Sequence, residues 1–309
     1  VVFVENCVGE SAEMSVKALP DGGIALLENL RFHAGEEEND ETFVQALSVL
    51  GDVFVNDAFS VAHRAHASTE GIAHVLPSAV GRSMQAELEA LEVALGDPDR
   101  PVLAVIGGAK VSTKLNVLSN LVGKVDRLAI GGAMANTFLY ALGNDIGSSL
   151  CEKDMADTAR AVMKSADQVG CQVILPSDVV ISKKLEAGTP NETVPITNVR
   201  PDTMILDIGT ETARALASCL ESCKTVLWNG PLGAFEIRPF GEGTKIVARA
   251  AAKLTTESKL CSVAGGGDTI AALAAADVVN DFSYISTAGG AFLEWLEGKE
   301  LPGITALYG

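Results

Sequence analysis

The sequence predicts an α/β protein made of two doubly wound domains with parallel sheets. Three observations lead to this prediction: a length of 309 residues, five short apolar segments that each run into a glycine-rich turn, and one amphipathic helix that divides the chain. A hydrophobic content of 48% is ample for two cores. Because the carboxyl ends of parallel strands share one edge of a sheet, the five turns should meet there.

Short strands and a capped helix are predicted in the first part of the chain. Apolar, β-branched segments predict strands at residues 1–4, 24–27 and 53–55. Asp40 is a suitable N-cap for a helix whose apolar residues recur on one face. The acidic run at residues 36–38 is most simply a solvated loop.

A helix over residues 83–95 is the predicted domain boundary. Ser83 caps it, leucines at helical spacing form its apolar stripe, and Gly96 ends it before two prolines. The predicted organisation is a first domain at residues 1–82, a helix and linker at 83–97, a second domain at 98–290, and a C-terminal segment at 291–309 that returns to the first domain.

The segment PVLAVIGGAKVSTKL, residues 101–115, is the clearest unit of strand, turn and helix. Its apolar residues 102–106 predict a buried strand, and two glycines then allow a tight turn. Lys110 and Lys114 are expected on one face of the first turn of the next helix, where they and the helix N-terminus could hold a phosphate. By itself, such a turn is as often structural as functional.

Four further apolar segments lead into glycine-rich turns in the same way. They are residues 128–130 before GGAMANTFL, 225–228 before NGPLGAFE, 260–264 before GGGDTIAAL, and 284–286 before TAGGAFLEWL. Strands at 172–175 and 204–206 continue the αβ alternation. The repetition predicts a nucleotide site at the edge where the five turns meet.

Composition and charge limit the classes of function. A formal net charge of -17 argues against a nucleic acid partner. No run reaches transmembrane length and no signal peptide precedes the first strand, so no membrane partner is expected. The six scattered cysteines, with Cys219 and Cys223 the one close pair, form neither a disulfide framework nor a zinc pattern, which fits a reducing cytoplasm.

Two arginines of the first domain stand among acidic residues. Arg31 follows a predicted strand in LLENLRFHAG, and Arg64 lies in AHRAHAST. A guanidinium group can donate two parallel hydrogen bonds to a phosphate or carboxylate, so both are candidate anion ligands. The alternative is a salt bridge to a nearby acid, Glu28 or Asp57.

His63 and His66 flank Arg64 and could suggest a metal site. The chain has only four histidines, and no nearby carboxylate stands at ligand spacing. A structural role is therefore favoured for both.

The sequence resembles the phosphoglycerate kinase family. Seven blocks occur in that family's order: LLENLRFHAGEE, VNDAFSVAHRAHAST, VIGGAKVSTKL, AIGGAMANTFL, VLWNGPLGAFE, GGGDT and EGKELPG. Together they cover essentially the whole chain and are far more specific than a lone glycine motif. The resemblance implies two Rossmann-like domains, joined by a helix, that close about a hinge to exclude water.

The resemblance also implies a reaction and its residues. The reaction is reversible phosphoryl transfer from 1,3-bisphosphoglycerate to Mg-ADP, which gives 3-phosphoglycerate and ATP, in a cytoplasmic monomer. Arg31 and Arg64 are the implied phosphoglycerate ligands, and Lys110 and Lys114 the implied catalytic pair. The implied nucleotide ligands are Gly108, Ala109, Lys114, Gly131, Gly132, Gly209, Asn229, Pro231, Glu236, Gly266, Gly267, Asp268 and Thr269, with Glu236 on the ribose and Asp268 on Mg²⁺.

The chain departs from the family pattern at its beginning. The family opens with a further stretch of about three βαβ-sized units, which includes an Asp-x-Asn-x-Pro block and a His-x-Gly-Arg-Pro block. Neither block occurs here, so the first domain is expected to be incomplete and this chain alone to be inactive. Ala288, Phe292 and Thr113 replace residues that are frequent in the family, without removing a charged site residue.

Two other readings stay open. One is a nucleotide-binding module without catalysis, supported only by the missing blocks. The other is a doubly wound dehydrogenase, which is disfavoured because no strand is followed by GxGxxG with an acidic residue about 20 positions further on.

Overall fold

The fold is described from a computed structural model that covers residues 1–308. Gly309, the last residue of the predicted C-terminal segment, lies outside the described residues. The chain divides into two compact units. The first is Val1–Leu88 with the last stretch from Lys299 on, and the second is Glu89–Gly298.

Strands and helices alternate along both units. In chain order the strands are β1 (Val2–Val4), β2 (Ala25–Leu27), β3 (Phe54–Asn56), β4 (Ser78–Val80), β5 (Val102–Ile106), β6 (Arg127–Ile130), β7 (Gln172–Ile174), β8 (Asp178–Ser182), β9 (Asn191–Pro195), β10 (Met204–Ile208), β11 (Thr225–Asn229), β12 (Cys261–Gly265) and β13 (Tyr284–Ser286). The helices are α1 (Glu10–Lys17), α2 (Ala34–Glu37), α3 (Glu41–Ser48), α4 (Arg82–Leu91), α5 (Leu115–Val122), α6 (Gly132–Ala141), α7 (Ala156–Val169), α8 (Thr210–Glu221), α9 (Glu242–Thr256), α10 (Gly267–Ala275), α11 (Gly289–Leu296) and α12 (Pro302–Thr305).

A six-stranded parallel sheet organises the second unit. Its strand order is β13-β12-β11-β5-β6-β7, and it contains all five strands predicted before glycine-rich turns. Every residue of the central strands β5 and β11 is buried, which explains their continuous apolar sequences. The strand order reverses between β5 and β11, which is where doubly wound sheets open a crevice.

The second unit also contains a sheet that the alternation did not predict. The expected strand at 204–206 is part of β10, which pairs antiparallel with β8 in a three-stranded sheet of order β10-β8-β9. A turn with Gly188 at a φ of 73° joins β8 to β9 as a local hairpin. β9 is largely exposed and polar, so hydropathy gave no signal for it.

The first unit contains two separate parallel pairs, β1 with β2 and β3 with β4. The predicted cap of α3 is confirmed, because the Asp40 side chain accepts a hydrogen bond of 2.8 Å from the Phe43 backbone amide. Phe43 packs in a small core with Val44 and Leu47. With parallel sheets and helices in both units, the predicted fold class is confirmed.

Two local predictions for the part of the chain before β5 are wrong. Ser83 does not cap a helix, because α4 already begins at Arg82, and the helix continues past Leu91 as a π-helical stretch, Glu92–Gly96. Glu36 is not in a solvated loop: it lies in α2 and is only 3% exposed. Its carboxylate is held inside by the amide and hydroxyl of Ser68, at 3.0 and 2.6 Å.

The last stretch of the chain packs within the first unit. The Gly303 amide donates to the Ala62 carbonyl at 2.8 Å, and its carbonyl accepts from the Asn56 side chain at 3.0 Å. Across residues 1–308, no helix combines the length and the apolar character that a membrane span requires.

Candidate functional site

A pocket of about 300 Å³ opens in the second unit, where the sheet order reverses. Its walls come from the turns that follow β5, β6, β11 and β12, together with β10. The lining includes Gly108, Ala109, Gly132, Asn136, Leu206, Asp207, Pro231, Leu232, Glu236 and Asp268. An apolar wall with a few polar groups at a switch point is typical of a ligand site in an open α/β sheet.

Glycines let two of these turns approach each other backbone to backbone. A Cβ atom at Gly107 would overlap the carbonyl of Pro231, so no larger residue fits this position. The Gly107 amide donates to the Asn229 carbonyl at 3.0 Å, and the Gly132 amide donates to the Leu232 carbonyl at 2.9 Å. The pocket floor is therefore built from the backbone of neighbouring turns, which these hydrogen bonds join directly.

Lys114 lies beneath this floor and not on a helix face. The expectation that Lys110 and Lys114 share the first turn of a helix is wrong, because α5 begins only at Leu115. The residues before it form a loop, which Glu152 holds by accepting a hydrogen bond of 3.0 Å from the Ser112 amide. Lys110 is exposed on that loop.

The Lys114 ammonium group is fully engaged by oxygens. Its Nζ donates to the Gly107 carbonyl at 2.6 Å, to the Asn229 carbonyl at 3.1 Å and to Asn229 Oδ1 at 2.6 Å. Burial lowers the pKa of Lys114 to about 8, and the negative charge of Asp268 opposes this shift. The lysine is thus a desolvated cation beside the pocket, with Asp268 as the neighbouring anion.

This lowered pKa predicts a pH dependence of stability. Between pH 8 and 10.5 the unfolded chain keeps a proton on Lys114 that the folded chain has lost. The free energy of unfolding therefore rises as pH rises through this window, and this increment is absent once pH has fallen below about 8. A Lys114→Met variant should lack that increment, which amounts to up to about 3 kcal/mol. Urea unfolding of both proteins at pH 7 and pH 10 measures it. An identical pH dependence in the two proteins would contradict the buried-cation description.

The N-terminus of α10 forms another wall of the pocket. Gly266 has a φ of 98°, and Thr269 Oγ1 accepts from the Gly230 amide at 2.7 Å while donating to the Gly265 carbonyl at 2.8 Å. Asp268 is exposed at the pocket and makes no hydrogen bond or ion pair within residues 1–308. A free carboxylate at a helix N-terminus suits a hard cation that also binds phosphate oxygens.

The predicted nucleotide residues fall into two groups. Gly108, Ala109, Gly132, Pro231, Glu236 and Asp268 line the pocket, whereas Lys114, Gly131, Gly209, Asn229, Gly266, Gly267 and Thr269 do not. Lys110, predicted as a catalytic residue, does not line it either. Asn229 supports the pocket by holding Lys114, and its Nδ2 donates to the Gly265 carbonyl at 2.8 Å. Gly209 is the N-cap residue of α8, lies beside the Asp178 side chain and does not line the pocket.

Sequence reasoning missed two polar residues of the pocket wall. Asp207 is 2% exposed and accepts hydrogen bonds of 2.9 Å from the amides of Gly243 and Ile208, while burial raises its pKa to about 8. Asn136 is 1% exposed and donates to the Leu150 carbonyl at 3.1 Å, but its Oδ1 has no hydrogen-bond partner among residues 1–308. The one feature of the sequence that could have revealed Asp207 and Asn136 is that each is a polar residue within an apolar segment.

Arg31 and Arg64, the two predicted anion ligands, have different surroundings in the first unit. Arg31 lines a cavity of about 300 Å³, and its Nε lies 3.7 Å from Glu37, not from Glu28. Arg64 is exposed, does not line that cavity, and has no ion pair with Asp57 within the described residues. Asp57 instead accepts a hydrogen bond of 2.9 Å from the Met84 amide. The structure does not bring Arg31 and Arg64 into one cavity.

The fold and the pocket define an α/β protein with a candidate ligand site at the switch point of a parallel sheet. The family model "Phosphoglycerate kinase" matches residues 1–299, and the chain belongs to the phosphoglycerate kinase family. It is 60% identical over 307 residues to a phosphoglycerate kinase of Rhodospirillum centenum, and 58% identical to one of Caulobacter vibrioides. In both cases the match covers 99% of this chain and 78% of the relative.

Solved structures agree with this membership. The structure of phosphoglycerate kinase from Coxiella burnetii is similar with a TM-score of 0.89 and 44% identity, over 93% of this chain and 73% of that one. The structure from Pyrococcus horikoshii is similar with a TM-score of 0.81 and 33% identity, over 100% and 78%. The chain is thus similar to kinases along nearly its whole length, which does not favour a module without catalysis or a dehydrogenase.

Proposed function

We propose that the protein reversibly transfers a phosphoryl group from 1,3-bisphosphoglycerate to Mg-ADP, and that the pocket of the second unit binds the nucleotide. The observation that carries this proposal is the pocket itself, which places a desolvated lysine, a free carboxylate and a helix N-terminus beside glycine turns. Family membership supports the same reaction.

The chain's own groups can supply what phosphoryl transfer needs. This reaction asks the protein mainly to align donor and acceptor and to neutralise charge on the transferring group. Lys114 would leave the carbonyls of Gly107 and Asn229 and donate to the phosphoryl oxygens, where its positive charge meets the charge that develops. Exposed Lys110 is the second proposed catalytic cation. No general base is required, because the acceptor is already a phosphate anion.

The residues present fit a magnesium ion. Mg²⁺ in such sites is held by one or two carboxylates together with phosphate oxygens and waters, and Asp268 offers an unengaged carboxylate. Asp268 is the proposed protein ligand. When bound, the ion would neutralise charge on the nucleotide phosphates.

Glu236 is the proposed ribose ligand, because it lines the pocket and its carboxylate can accept hydrogen bonds from the two ribose hydroxyls. Replacing Glu236 by Ala should raise the KM for ADP about tenfold or more, since two hydrogen bonds to a charged acceptor are lost, and leave kcat within a few-fold. Steady-state kinetics at varied ADP measures both constants. Glu221→Ala, an exposed glutamate of α8 outside the pocket, is the matched control. A fall in kcat with an unchanged KM would remove the ribose assignment.

The reaction itself is tested on the protein as its gene encodes it. With saturating Mg-ATP, formation of ADP should depend on 3-phosphoglycerate, and phosphorus NMR should show an acyl phosphate as the second product. ATP consumption that does not depend on 3-phosphoglycerate would contradict the proposal.

Other expectations stay part of the proposal. They are phosphoglycerate binding by Arg31 and Arg64, the domain limits at 1–82, 83–97, 98–290 and 291–309, hinge closure, a monomeric state and a cytoplasmic location. The position of Arg31 at the cavity of the first unit supports phosphoglycerate binding by this residue.

A further inference from the structure

Two cysteines and an arginine form a cluster at the C-terminal end of α8, with no residue in common with the pocket lining. Cys219 lies in the last turn of α8, Cys223 lies just before β11, and Arg127 is the first residue of β6. The Nη1 atom of Arg127 lies 3.3 Å from Cys219 Sγ and 3.4 Å from Cys223 Sγ. We call these three residues the Cys219 cluster.

The positive charge of Arg127 is directed at the two sulfurs. Within residues 1–308 the guanidinium group has no ion pair with a carboxylate, and its other contacts are the Ser222 hydroxyl at 2.6 Å and the Cys219 carbonyl at 3.3 Å. Cys219 is partly exposed and Cys223 is 2% exposed. A partly exposed cysteine beside a guanidinium group that has no carboxylate partner is the environment in which a thiol becomes a thiolate.

The two thiols are unequal. A hydrogen bond from Cys223 and the charge of Arg127 lower the pKa of Cys219, against the effect of burial. The same hydrogen bond, together with burial, raises the pKa of Cys223. The cluster therefore favours a thiolate at the partly exposed Cys219 over one at the buried Cys223. By contrast, burial raises the pKa of the partly exposed Cys151 and Cys261.

The spacing of the two cysteines permits a bond between them. Residues four apart at a helix end have Cα atoms about 6 Å apart, within the range that a disulfide spans. Cys223 Sγ already points back along the helix, since it lies 3.3 Å from the Cys219 carbonyl oxygen. A metal site is not indicated, because no group of three possible ligands occurs among the described residues.

We propose that Cys219 is an oxidation-sensitive thiol that reacts with hydroperoxides and then forms a reversible disulfide with Cys223. The Cys219 thiolate attacks one oxygen of hydrogen peroxide, the O–O bond breaks, and hydroxide leaves to give a sulfenic acid. Cys223 Sγ then attacks the Cys219 sulfur, the S–O bond breaks, and the oxygen leaves as water. In total, two thiols and one peroxide give one disulfide and two waters. A dithiol reductant then restores both thiols by exchange and is itself oxidised to a disulfide.

Arg127 has a positioning role in this chemistry, and alkylation rates test it. Iodoacetamide at neutral pH should modify Cys219 on the order of tenfold faster than Cys151 or Cys261, because the gain in thiolate outweighs the lower nucleophilicity of each thiolate. Arg127→Gln should slow Cys219 several-fold, and Arg127→Lys should keep most of the rate. Cys151 and Cys261 report on the fold, since their rates should stay the same in every variant.

Mass spectrometry after peroxide treatment tests the disulfide. Trypsin cleaves after Arg214 and Lys224, so both cysteines lie in one peptide, residues 215–224. Dilute hydrogen peroxide should remove two hydrogens from this peptide, and dithiothreitol should restore them. Cys223→Ser should instead accumulate a sulfenic acid that dimedone traps, while Cys261→Ser, the matched control, should still form the disulfide. Alkylation of Cys219 no faster than that of Cys151, or peroxide oxidation without a disulfide in this peptide, would overturn the proposal.

Discussion

Replacing Lys114 by Ala should lower kcat by roughly 10²–10³-fold and change the KM for ADP only slightly. The expected effect is large because the lysine is proposed to meet charge that develops on the transferring phosphoryl group in a site with little water. Its ground-state partners are the carbonyls of Gly107 and Asn229, not groups of the lining that would hold the nucleotide. Removing a group that acts only in the transition state lowers the rate and spares binding.

The measurement is steady-state kinetics on the protein as its gene encodes it, with ADP and 1,3-bisphosphoglycerate varied in turn. Lys124→Ala is the matched control, because this lysine is exposed in the same unit and lies outside the pocket. Calorimetric binding of Mg-ADP to both variants checks that the pocket is intact. If Lys114→Ala changed KM alone, the lysine would be a ground-state ligand and its catalytic role would be wrong.

Replacing Asp268 by Ala should weaken the binding of Mg-ADP by at least about tenfold and leave that of metal-free ADP unchanged or slightly tighter. The first effect is expected because the free carboxylate is the proposed protein ligand of the ion. The second follows because a negative charge beside the phosphates is removed. Calorimetry with Mg²⁺ and with EDTA separates the two effects.

Asp167→Ala, an exposed aspartate of α7 outside the pocket, is the control for the change in net charge. The thermal stability of each variant should be compared first, since Asp268 lies in the first turn of α10 and a loss there would mimic weaker binding. Equal weakening of ADP with and without the metal would remove Asp268 as the magnesium ligand.

Local sequence signals were sufficient for the sheet of the second unit. The segment 102–106 is apolar, β-branched and bounded by proline and glycine, so its strand could be predicted from its own residues. The repeated glycine turns then placed the pocket, because parallel strands end at one edge of a sheet. The Asp40 cap could also be predicted from local sequence, because Asp40 and the Phe43 amide that it binds lie three residues apart.

Contacts between distant residues could not be predicted in this way. Lys114 was assigned to a helix face, but its side chain is held by Asn229, 115 residues further along the chain. Glu36 was assigned to solvent, but Ser68 supplies the hydrogen bonds that allow its burial. Cys219 and Arg127 are 92 residues apart. Asn136 at the pocket wall belongs to the same class, because no local pattern shows which face of a buried helix meets a cavity.

A crystal structure of the protein with bound Mg-ADP would test the nucleotide assignment most directly. We expect the base against the apolar wall near Leu206 and Leu232, the ribose at Glu236, and the phosphates at the N-terminus of α10. The metal should contact Asp268. A nucleotide bound elsewhere at saturating concentration, or bound here with its phosphates directed away from α10, would contradict the proposed site.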